Sequence, residues 1–398
     1  MDEVVITGAA RTPFGAFGGG LSKLSAPTLG GLAIQEAMKR AQITGEQVDE
    51  SIMGIVVSAG AGQVPARQAA VLGGIPHHVP SFTLNKVCGS ALKAVTLGTQ
   101  IIKAGDADVI VAGGMESMSN APYLLPSARW GQRMFDGKMV DAMVKDGLWC
   151  PENDVHMAVI GGQVATEMGV TRLEQDRWAL RSQQRWAAGE AAHVFDTERF
   201  PVSVPGRKGA VTVVDKDEAP RPSSTLEGLQ KLSPLFVPDG CITAGNAPGT
   251  NDGASALVVM RRSRAEQLGA PILGIIRGYA QVSRESRYIS TVPGLAIQAL
   301  MEKHNLTLQD FDLMEINEAF AAVPLVSGLK VLGMDWAEMD EKVNVNGGAV
   351  AVGHPIGATG GRILMTLLFE LKRRGVKQGV CAICSGMGQG DALWVEAV

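Results

Sequence analysis

A helix followed by an apolar strand occurs twice along this chain, and this repeat limits the folds open to it. In the first half, small and apolar residues recur at helical spacing over 90–103, Gly105 ends the segment, and 109–112 is uniformly apolar. In the second half, a helical pattern at 360–374, a glycine and an apolar run at 380–384 repeat this order. Because parallel strands buried on both faces are apolar throughout, the pattern predicts a duplicated βαβ unit in an α/β protein.

The composition changes between the two halves of this repeat. Residues 120–245 are richer in charged residues, proline and tryptophan, and 173–193 carries a strong helical pattern. We therefore predict an inserted, mostly helical domain with long loops at 120–245. The first half then consists of residues 1–119 together with 246–268, and the second half of 269–398.

Charge and cysteine usage narrow the classes of function. The chain has 398 residues and a formal net charge of −4, so we expect neither nucleic acid nor a membrane as a partner.

Five cysteines, an odd number, argue against a disulfide framework. Cys381 and Cys384 form a C-x-x-C, but zinc would need a second ligand pair at suitable spacing, so we interpret this run as a buried strand with one functional thiol. Without a visible signal, transit peptide or membrane span, we expect a cytoplasmic protein.

A cysteine stands directly before the first helix, in the stretch 85–92 with the sequence NKVCGSAL. The free backbone N–H groups and the positive dipole end of a helix N-terminus stabilise a thiolate, which is the nucleophilic form of cysteine. The alternative is a buried packing cysteine, which the polar and glycine neighbours disfavour. We therefore predict that Cys88 is a nucleophile whose thiolate form is stabilised by the helix N-terminus.

Three later stretches carry further candidate residues. His354 is framed by six glycines within 347–361, at the start of a predicted helix, which suits a base better than a packing residue. Asn317 follows an apolar strand, where a turn or a helix cap is the alternative interpretation. Cys384 ends the second apolar strand and opens into a glycine loop at 385–390, which can direct backbone N–H groups at a developing oxyanion.

Taken together, these stretches resemble the thiolase family. The segments 11–15 (RTPFG), 243–247 (TAGNA) and 251–254 (NDGA) match as well, and the resemblance covers essentially the whole chain in the family's order and spacing. It implies two βαβαβ halves in a layered α/β/α/β/α core, with an inserted loop domain for coenzyme A binding and oligomer contact. It implies an acetyl-CoA C-acyltransferase of fatty acid metabolism that catalyses reversible condensation or thiolysis of 3-ketoacyl-CoA, foremost acetoacetyl-CoA, through an acyl-cysteine.

The resemblance also implies a role for each site residue. Cys88 would be the nucleophile and His354 its base, while Cys384 would exchange a proton with the α-carbon of acetyl-CoA or with the leaving group. One oxyanion hole would use His354 and a water held by Asn317, and the other the backbone N–H groups of Cys88 and Gly386. Arg221 would meet the adenine nucleotide. The pantetheine and acyl tunnel would be formed by Leu148, His156, Met157, Phe236, Ala247, Pro248, Ala319 and Phe320.

No metal and no cofactor is implied, because coenzyme A is itself a substrate. The expected partners are acyl-CoA, CoA and further copies of the chain in a dimer or a tetramer. Bulky apolar residues at 123–135, set among glycine, proline and arginine, favour an oligomer contact and local packing about equally.

Three segments that border the tunnel by analogy depart from the family's pattern. Pro248 stands where a serine is usual, and 158–163 reads AVIGGQ where Gly-x-Thr-Ala-Glu-Asn is usual. The segment 287–291 reads RYIST where a Met-Gly-x-Gly-Pro run is common. None of these departures touches the catalytic residues, so we expect them to act on the acyl chain preference.

Four alternatives stand beside this interpretation. A longer-chain degradative 3-ketoacyl-CoA thiolase would use the same residues. A condensing enzyme of the ketoacyl synthase type would make its carbanion by decarboxylation, and Cys384 argues against it because that reaction needs no such base. A hydrolase using Cys88, His354 and Asn317 would leave Cys384 idle, and a non-catalytic CoA-binding protein would need neither thiol.

Overall fold

The computed structural model describes residues 2–398, over which strands and helices are distributed along the whole chain. The strands are β1 (Val4–Arg11), β2 (Gly15–Ala16), β3 (Glu50–Gly54), β4 (Ser81–Leu84), β5 (Val109–Ser117), β6 (Tyr123–Leu124), β7 (Val140–Asp141), β8 (Trp149–Cys150), β9 (Val155–His156), β10 (Val202–Pro205), β11 (Val211–Val214), β12 (Asn251–Arg261), β13 (Gly274–Ser283), β14 (Leu313–Ile316), β15 (Gln378–Ser385) and β16 (Gln389–Ala397). The α-helices are α1 (Ala26–Arg40), α2 (Pro65–Leu72), α3 (Ser90–Ala104), α4 (Met157–Glu167), α5 (Arg172–Ala191), α6 (Leu226–Gln230), α7 (Arg262–Leu268), α8 (Val292–His304), α9 (Ala322–Leu325), α10 (Trp336–Lys342), α11 (Ala349–Val352) and α12 (Thr359–Arg374). Two π-helical turns, Met143–Leu148 and Val326–Val331, and several short 3₁₀ turns complete the described chain.

One mixed sheet runs through the molecule in the order β14-β15-β16-β13-β1-β12-β5-β3-β4, with β2 beside β12. The pairs β3–β5, β3–β4 and β14–β15 are parallel, and the other pairs are antiparallel. Only two residue pairs, Val5 with Ile275 and Ile6 with Gly274, join β1 to β13. The sheet therefore consists of two halves, and the orders β3-β5-β12-β1 and β14-β15-β16-β13 repeat each other. The predicted duplication is confirmed by this strand order.

Helices cover the two half-sheets in layers. The helices α3 and α12 lie between the halves, because their apolar side chains form one buried cluster with strand residues of both halves, for example Ile110 and Ile383. The outer face of the first half packs against α1 and α2, and the outer face of the second half against α8. The molecule is therefore layered α/β/α/β/α, which confirms the expected fold class.

The two central helices end where the sequence predicts it. Gly105 and Gly375 adopt left-handed conformations with φ of 92° and 69° and close α3 and α12. The strand after α3 is longer than its apolar run suggests, because β5 continues through two glycines. A Cβ at Gly113 would lie 2.1 Å from the carbonyl oxygen of Ser255 in β12, so the glycine allows the strands to approach.

The chain leaves the sheet after β5 and returns to it at β12. The intervening residues contain α4, α5, α6 and three two-stranded ribbons. The helix α5 begins at a capping box formed by Thr171 and Glu174 and buries Trp178 and Trp186. The limits 120 and 245 of a separate inserted domain stay a prediction. Across residues 2–398, none of the helices is both long and apolar enough to cross a membrane.

Candidate active site

A cavity of about 390 Å³ lies where the segment between β5 and β12 meets the ends of the sheet strands. Most of its lining is apolar, which suits an elongated organic ligand with a few polar groups. Asn317 and Arg221 do not belong to the wall. The predicted site residues that line this cavity are Cys88, His354, Cys384, Gly386, Leu148, His156, Met157, Phe236, Ala247, Pro248, Ala319 and Phe320.

Cys88 lies in a tight turn that side chains of its own segment hold in place. The backbone N–H of Val87 donates to the side-chain oxygen of Asn85 at 3.0 Å, and Val87 adopts a positive φ of 47°. The hydroxyl of Ser90 accepts from the backbone N–H of Lys86 at 2.9 Å and donates to the carbonyl of Val87 at 2.7 Å. These bonds fix the turn directly before α3, which begins at Ser90, so the predicted position of Cys88 at a helix N-terminus is confirmed.

A buried ion pair joins this turn to the second half of the molecule. Lys86 Nζ contacts Asp391 Oδ1 at 2.6 Å, and Asp391 Oδ2 accepts from the hydroxyl of Ser385 at 3.0 Å. A Cβ at Gly89 would lie 2.1 Å from the Ser385 hydroxyl, so glycine lets the turn rest on β15. Because Ser385 follows Cys384 directly, these contacts hold the two thiol-bearing segments against each other.

His354 forms a hydrogen-bonded chain with Cys88. His354 Nε2 lies 3.2 Å from Cys88 Sγ, and His354 Nδ1 lies 2.7 Å from the hydroxyl oxygen of Thr359. That hydroxyl donates its only proton to the carbonyl of Pro355 at 3.0 Å, so it must accept from Nδ1–H. We therefore assign the proton to Nδ1, which leaves Nε2 free to accept the thiol proton of Cys88.

The backbone at His354 is held by the first residue of β12. The N–H of His354 donates to Asn251 Oδ1 at 2.9 Å, and Asn251 Nδ2 donates to the carbonyl of Gly15 at 2.9 Å. Gly353 has a φ of 102°, and a Cβ there would lie 2.4 Å from Asn251 Oδ1. The glycine is therefore needed both for its backbone conformation and for the close approach of Asn251.

A buried carboxylate, Glu116 at the end of β5, ties the loops around the cavity together. It accepts from the N–H groups of Val56 and Val57 at 3.1 Å each and from the N–H of Gly357 at 2.9 Å. Burial raises the pKa of Glu116 to about 7, although these three hydrogen bonds oppose the shift. Glu116 thus connects the loop after β3 to the loop that carries His354.

Burial determines the protonation states of the catalytic pair. Desolvation, together with the neighbouring Cys384, raises the pKa of the Cys88 thiol well above its usual value. Desolvation and the charge of Arg362 lower the pKa of His354 to about 3, and burial raises the pKa of Cys384 to about 12. Stabilisation by the helix N-terminus, which the sequence predicts for a Cys88 thiolate, does not offset this shift of the Cys88 pKa. At neutral pH the resting pair is a thiol and a neutral imidazole, because the desolvation cost exceeds the stabilisation by the helix N-terminus.

Asn317 lies behind the wall, directly after β14. Its N–H donates to the carbonyl of Ala382 at 2.9 Å, and its buried side-chain oxygen and nitrogen have no hydrogen-bond partner within the described chain. The next residue, Glu318, accepts from Trp178 Nε1 at 2.9 Å and from the hydroxyl of Ser182 at 2.8 Å. The loop is thus anchored to α5 by Glu318, which leaves the amide of Asn317 available to a ligand or a water molecule.

The outer part of the site contains His156 and Phe236. His156 Nδ1 accepts from the N–H of Ala158 at 3.1 Å and so caps α4, and its ring stacks on Phe236 at 4.0 Å between centroids. Burial lowers the pKa of His156 to about 4, so this cap is neutral at pH 7. Arg221 is exposed, and its guanidinium donates to the carbonyl of Ala244 at 3.2 Å. Ala244 stands three residues before the wall residue Ala247, but Arg221 itself does not line the cavity.

The two cysteines of the C-x-x-C face opposite sides of β15. Cys381 packs in the central layer between the half-sheets, and Cys384 in the cluster of the outer face. All five cysteines are free. The geometry agrees with the interpretation of one functional thiol at the end of a buried strand.

Several residues of the site escape the sequence analysis. Glu116 could have been found as a lone carboxylate that ends an otherwise apolar strand, and Asn251 stands in a segment that the family resemblance includes without assigning it a role. Thr359 lies one helical turn beyond Pro355, where a hydroxyl also serves as an ordinary helix residue. No sequence signal marks Asp391, because its partner Lys86 is 305 residues away.

The chain is similar to known proteins along essentially its whole length. The family model described as "Thiolase, N-terminal domain" matches residues 4–263, and the model "Thiolase, C-terminal domain" matches residues 270–397. An acetyl-CoA acetyltransferase of Cupriavidus necator is 49% identical over 396 residues, which is 100% of both chains. An acetyl-CoA acetyltransferase of Pseudomonas aeruginosa is 48% identical over 393 residues, 99% of each chain. The crystal structure of the Bacillus anthracis acetyl-CoA acetyltransferase superimposes with a TM-score of 0.96 at 39% identity, covering 100% of this chain and 99% of that one.

Proposed function

The chain belongs to the thiolase family, and we propose that the acyl transfer it catalyses between acetyl-CoA and an acyl-CoA proceeds through an acyl group on Cys88, with acetoacetyl-CoA as the preferred 3-ketoacyl substrate. One observation carries this proposal. Cys88 Sγ lies 3.2 Å from His354 Nε2 in a cavity that Cys384 also lines. The names of the relatives, acetyl-CoA acetyltransferase, support the short acyl group.

In the first half-reaction, Cys88 attacks the 3-keto carbon of acetoacetyl-CoA while its proton passes to His354 Nε2. The bond between C2 and C3 then breaks, which leaves an acetyl group on Cys88 and the enolate of acetyl-CoA. Cys384 donates its proton to the enolate carbon and becomes a thiolate. A pKa of about 12 keeps Cys384 protonated until this step, as an acid requires.

In the second half-reaction, free CoA enters and the Cys384 thiolate takes its thiol proton. The CoA thiolate attacks the acetyl carbonyl, the bond to Cys88 breaks, and His354 returns the proton to Cys88. Both thiols end as they began, and all atoms balance without a metal or a cofactor. The condensation direction is the reverse of these steps.

Two groups of donors stabilise the oxyanions in this proposal. His354 and a water molecule on the unpartnered amide of Asn317 form the first, and the backbone N–H groups of Cys88 and Gly386 the second. Gly386 fits this role because it lines the cavity and a Cβ there would lie 2.9 Å from Val87 Cγ2, so glycine lets this loop rest on the residue before the nucleophile. Removing one such donor typically raises the barrier by about 2.7–4 kcal/mol.

The remaining wall residues bind the substrate. Leu148, Met157 and Phe320 offer apolar surface to the pantetheine and acyl chains, and Ala247, Pro248 and Ala319 leave room for them. Phe236 is largely exposed and stacks on His156, which makes it suited to the outer end of the arm. Arg221, on the surface beyond Ala247, is the proposed contact of the adenine nucleotide.

A thiolysis assay tests the proposal. Purified enzyme with free CoA and 3-ketoacyl-CoA of four to sixteen carbons should be fastest with acetoacetyl-CoA, and peptide mapping should find an acetyl group on Cys88. Cleavage without free CoA would indicate a hydrolase, and a maximum at long chains would indicate the degradative alternative.

We also propose that the enzyme works as a homo-oligomer, a dimer or a tetramer. Trp130 and Phe135 expose 83% and 88% of their surface, and Tyr123 and Met134 beside them are exposed as well. Exposed apolar residues in this density favour a protein contact, and the outer edge of β4 offers unpaired backbone groups. Light scattering should give two or four chains for the wild type and fewer for the double variant Trp130→Ser/Phe135→Ser. A monomeric wild type would contradict this assembly.

We further propose a reducing compartment, the cytoplasm, as the location, and fatty acid metabolism as the context. All five cysteines are free, and the mechanism uses two of them as thiols. Oxidation of either thiol would stop the cycle.

A further inference from the structure

The aromatic ring of Phe320 rests on bare backbone of α4. A Cβ at Gly161, in the middle of this helix, would lie 2.8 Å from Phe320 Cδ2 and 3.1 Å from Cε2. Real Cβ atoms essentially never show a contact of 2.8 Å, so the ring occupies space that glycine leaves open. Glycine also destabilises the interior of a helix. The packing of the Phe320 ring therefore explains why a glycine stands in the middle of α4.

The other side of the same ring faces the cavity. Phe320 belongs to the cavity wall, whereas Gly161 does not, so the ring lies between the middle of α4 and the cavity. Val323, one turn further along the chain, and Ile289 line the cavity too and are 0% and 3% exposed. All three side chains pack in one apolar cluster. The position of the Phe320 ring therefore sets the width of the cavity at its buried apolar part, where an acyl chain is better accommodated than a polar pantetheine arm.

We propose that Gly161 is a specificity-determining residue. By letting the Phe320 ring withdraw onto α4, it widens the buried apolar part of the cavity so that 3-ketoacyl chains longer than four carbons are accepted beside acetoacetyl-CoA. This inference rests on the proposed function. The segment 158–163 is one of those that depart from the family's pattern. The inference explains how Gly161 in this segment affects the substrate through the Phe320 ring without contacting the substrate itself.

The neighbouring glycine provides a matched control. A Cβ at Gly162 would lie 3.3 Å from Ile242 Cγ1 and 3.4 Å from Cys241 Sγ, away from Phe320. Gly161→Ala and Gly162→Ala add the same methyl group to the same helix at adjacent positions, and both raise helix propensity equally. Only the first pushes the Phe320 ring toward the substrate.

The test is the ratio of kcat/KM for 3-ketohexanoyl-CoA to kcat/KM for acetoacetyl-CoA in thiolysis at saturating CoA. We expect Gly161→Ala to lower this ratio at least tenfold while the value for acetoacetyl-CoA changes less than threefold. Gly162→Ala should leave the ratio unchanged. Phe320→Leu should raise it, and the double variant Gly161→Ala/Phe320→Leu should restore it to at least the wild-type value.

Three results would overturn the inference. An unchanged ratio in Gly161→Ala, with an unfolding temperature at or above that of the wild type, would show that the ring does not limit the acyl chain. A raised KM for CoA with an unchanged ratio would place the ring beside pantetheine instead. If Gly161→Ala does not fold, an unchanged ratio in Phe320→Leu decides against the inference. A wild type without any thiolysis would refute the proposed function itself, which is a distinct result.

Discussion

Replacing Thr359 by valine should slow catalysis although Thr359 does not touch the cavity. The hydroxyl accepts from His354 Nδ1–H at 2.7 Å and donates to the carbonyl of Pro355 at 3.0 Å. Valine keeps the shape but cannot accept, so the buried Nδ1–H loses its partner. Leaving such a donor unsatisfied costs about 1–3 kcal/mol. The imidazole can avoid this cost by moving its proton to Nε2, where it blocks acceptance of the Cys88 proton.

The magnitude follows from the proton that Nε2 must accept. If the full 1–3 kcal/mol appears in the barrier of acyl transfer, kcat falls about 5- to 160-fold, since about 1.36 kcal/mol corresponds to a factor of ten. The KM for CoA should change little, because Thr359 does not line the cavity. Thr359→Ser keeps the hydroxyl and should retain most of the rate. Thr359→Ala lacks the methyl group that valine places where the hydroxyl stood. It therefore tests whether contact of that methyl group with the imidazole contributes to the loss of rate.

The assay is single-turnover acetylation of Cys88 by acetyl-CoA, followed by quenching and mass measurement of the Cys88 peptide. It isolates the half-reaction in which His354 receives the proton. Unfolding temperatures of the three variants separate a loss of stability from a loss of rate. A rate constant of acetylation within twofold of the wild type in both the valine and the alanine variant would refute the tautomer assignment.

Three further predictions follow from the same geometry. Alkylation of Cys88 by iodoacetamide should accelerate about tenfold per pH unit from pH 6 to 9, because the raised pKa of the thiol keeps the thiolate fraction small throughout this range. Peptide mapping measures the rate at Cys88, and a rate that is constant near neutral pH would indicate a standing thiolate. Cys384→Ser should lower thiolysis at least about 100-fold yet leave Cys88 able to take an acetyl group from acetyl-CoA; loss of both activities would mean that Cys384 is also needed for acylation of Cys88 or for the integrity of the site. Pro248→Ser should lower the KM for CoA about two- to twelvefold with kcat unchanged, because one recovered hydrogen bond contributes about 0.5–1.5 kcal/mol in ground and transition state alike; an unchanged KM would show that the missing hydroxyl is compensated elsewhere.

The fold could be predicted from the sequence where local signals determine it. The apolar strands, and the helices α3 and α12 that end at Gly105 and Gly375, are recognisable within short stretches of sequence. The repetition of this helix–strand order predicts the two half-sheets. The order of the strands in the sheet depends on contacts between segments that are distant in sequence, so no short window predicts it. The extension of β5 through Gly113 could not be predicted, because it depends on the close approach of β12.

The candidate site divides in the same way. Cys88, His354 and Cys384 stand out because each lies in a glycine-rich turn at the end of a strand or the start of a helix. The supporting residues Glu116, Asp391 and Thr359 act on segments that are distant in sequence or bind backbone groups, and neither leaves a pattern in the chain. The tunnel residues were expected from the resemblance alone, since isolated apolar side chains carry no signal that separates a cavity wall from a core.

The raised pKa of the Cys88 thiol shows where the helix N-terminus acts. The first turns of α3 and α12 pack on each other, since a Cβ at Gly360 would lie 2.5 Å from the backbone nitrogen of Leu92. Duplication therefore brings Cys88 and His354, which precede equivalent helices, together. A helix N-terminus stabilises a negative charge by about 0.3–2 kcal/mol, which is less than the cost of desolvating a buried thiolate. The free thiol therefore stays protonated. During attack the negative charge moves from sulfur to the carbonyl oxygen, so the same backbone N–H groups stabilise the transition state without having stabilised the resting enzyme, and this difference is what accelerates the reaction.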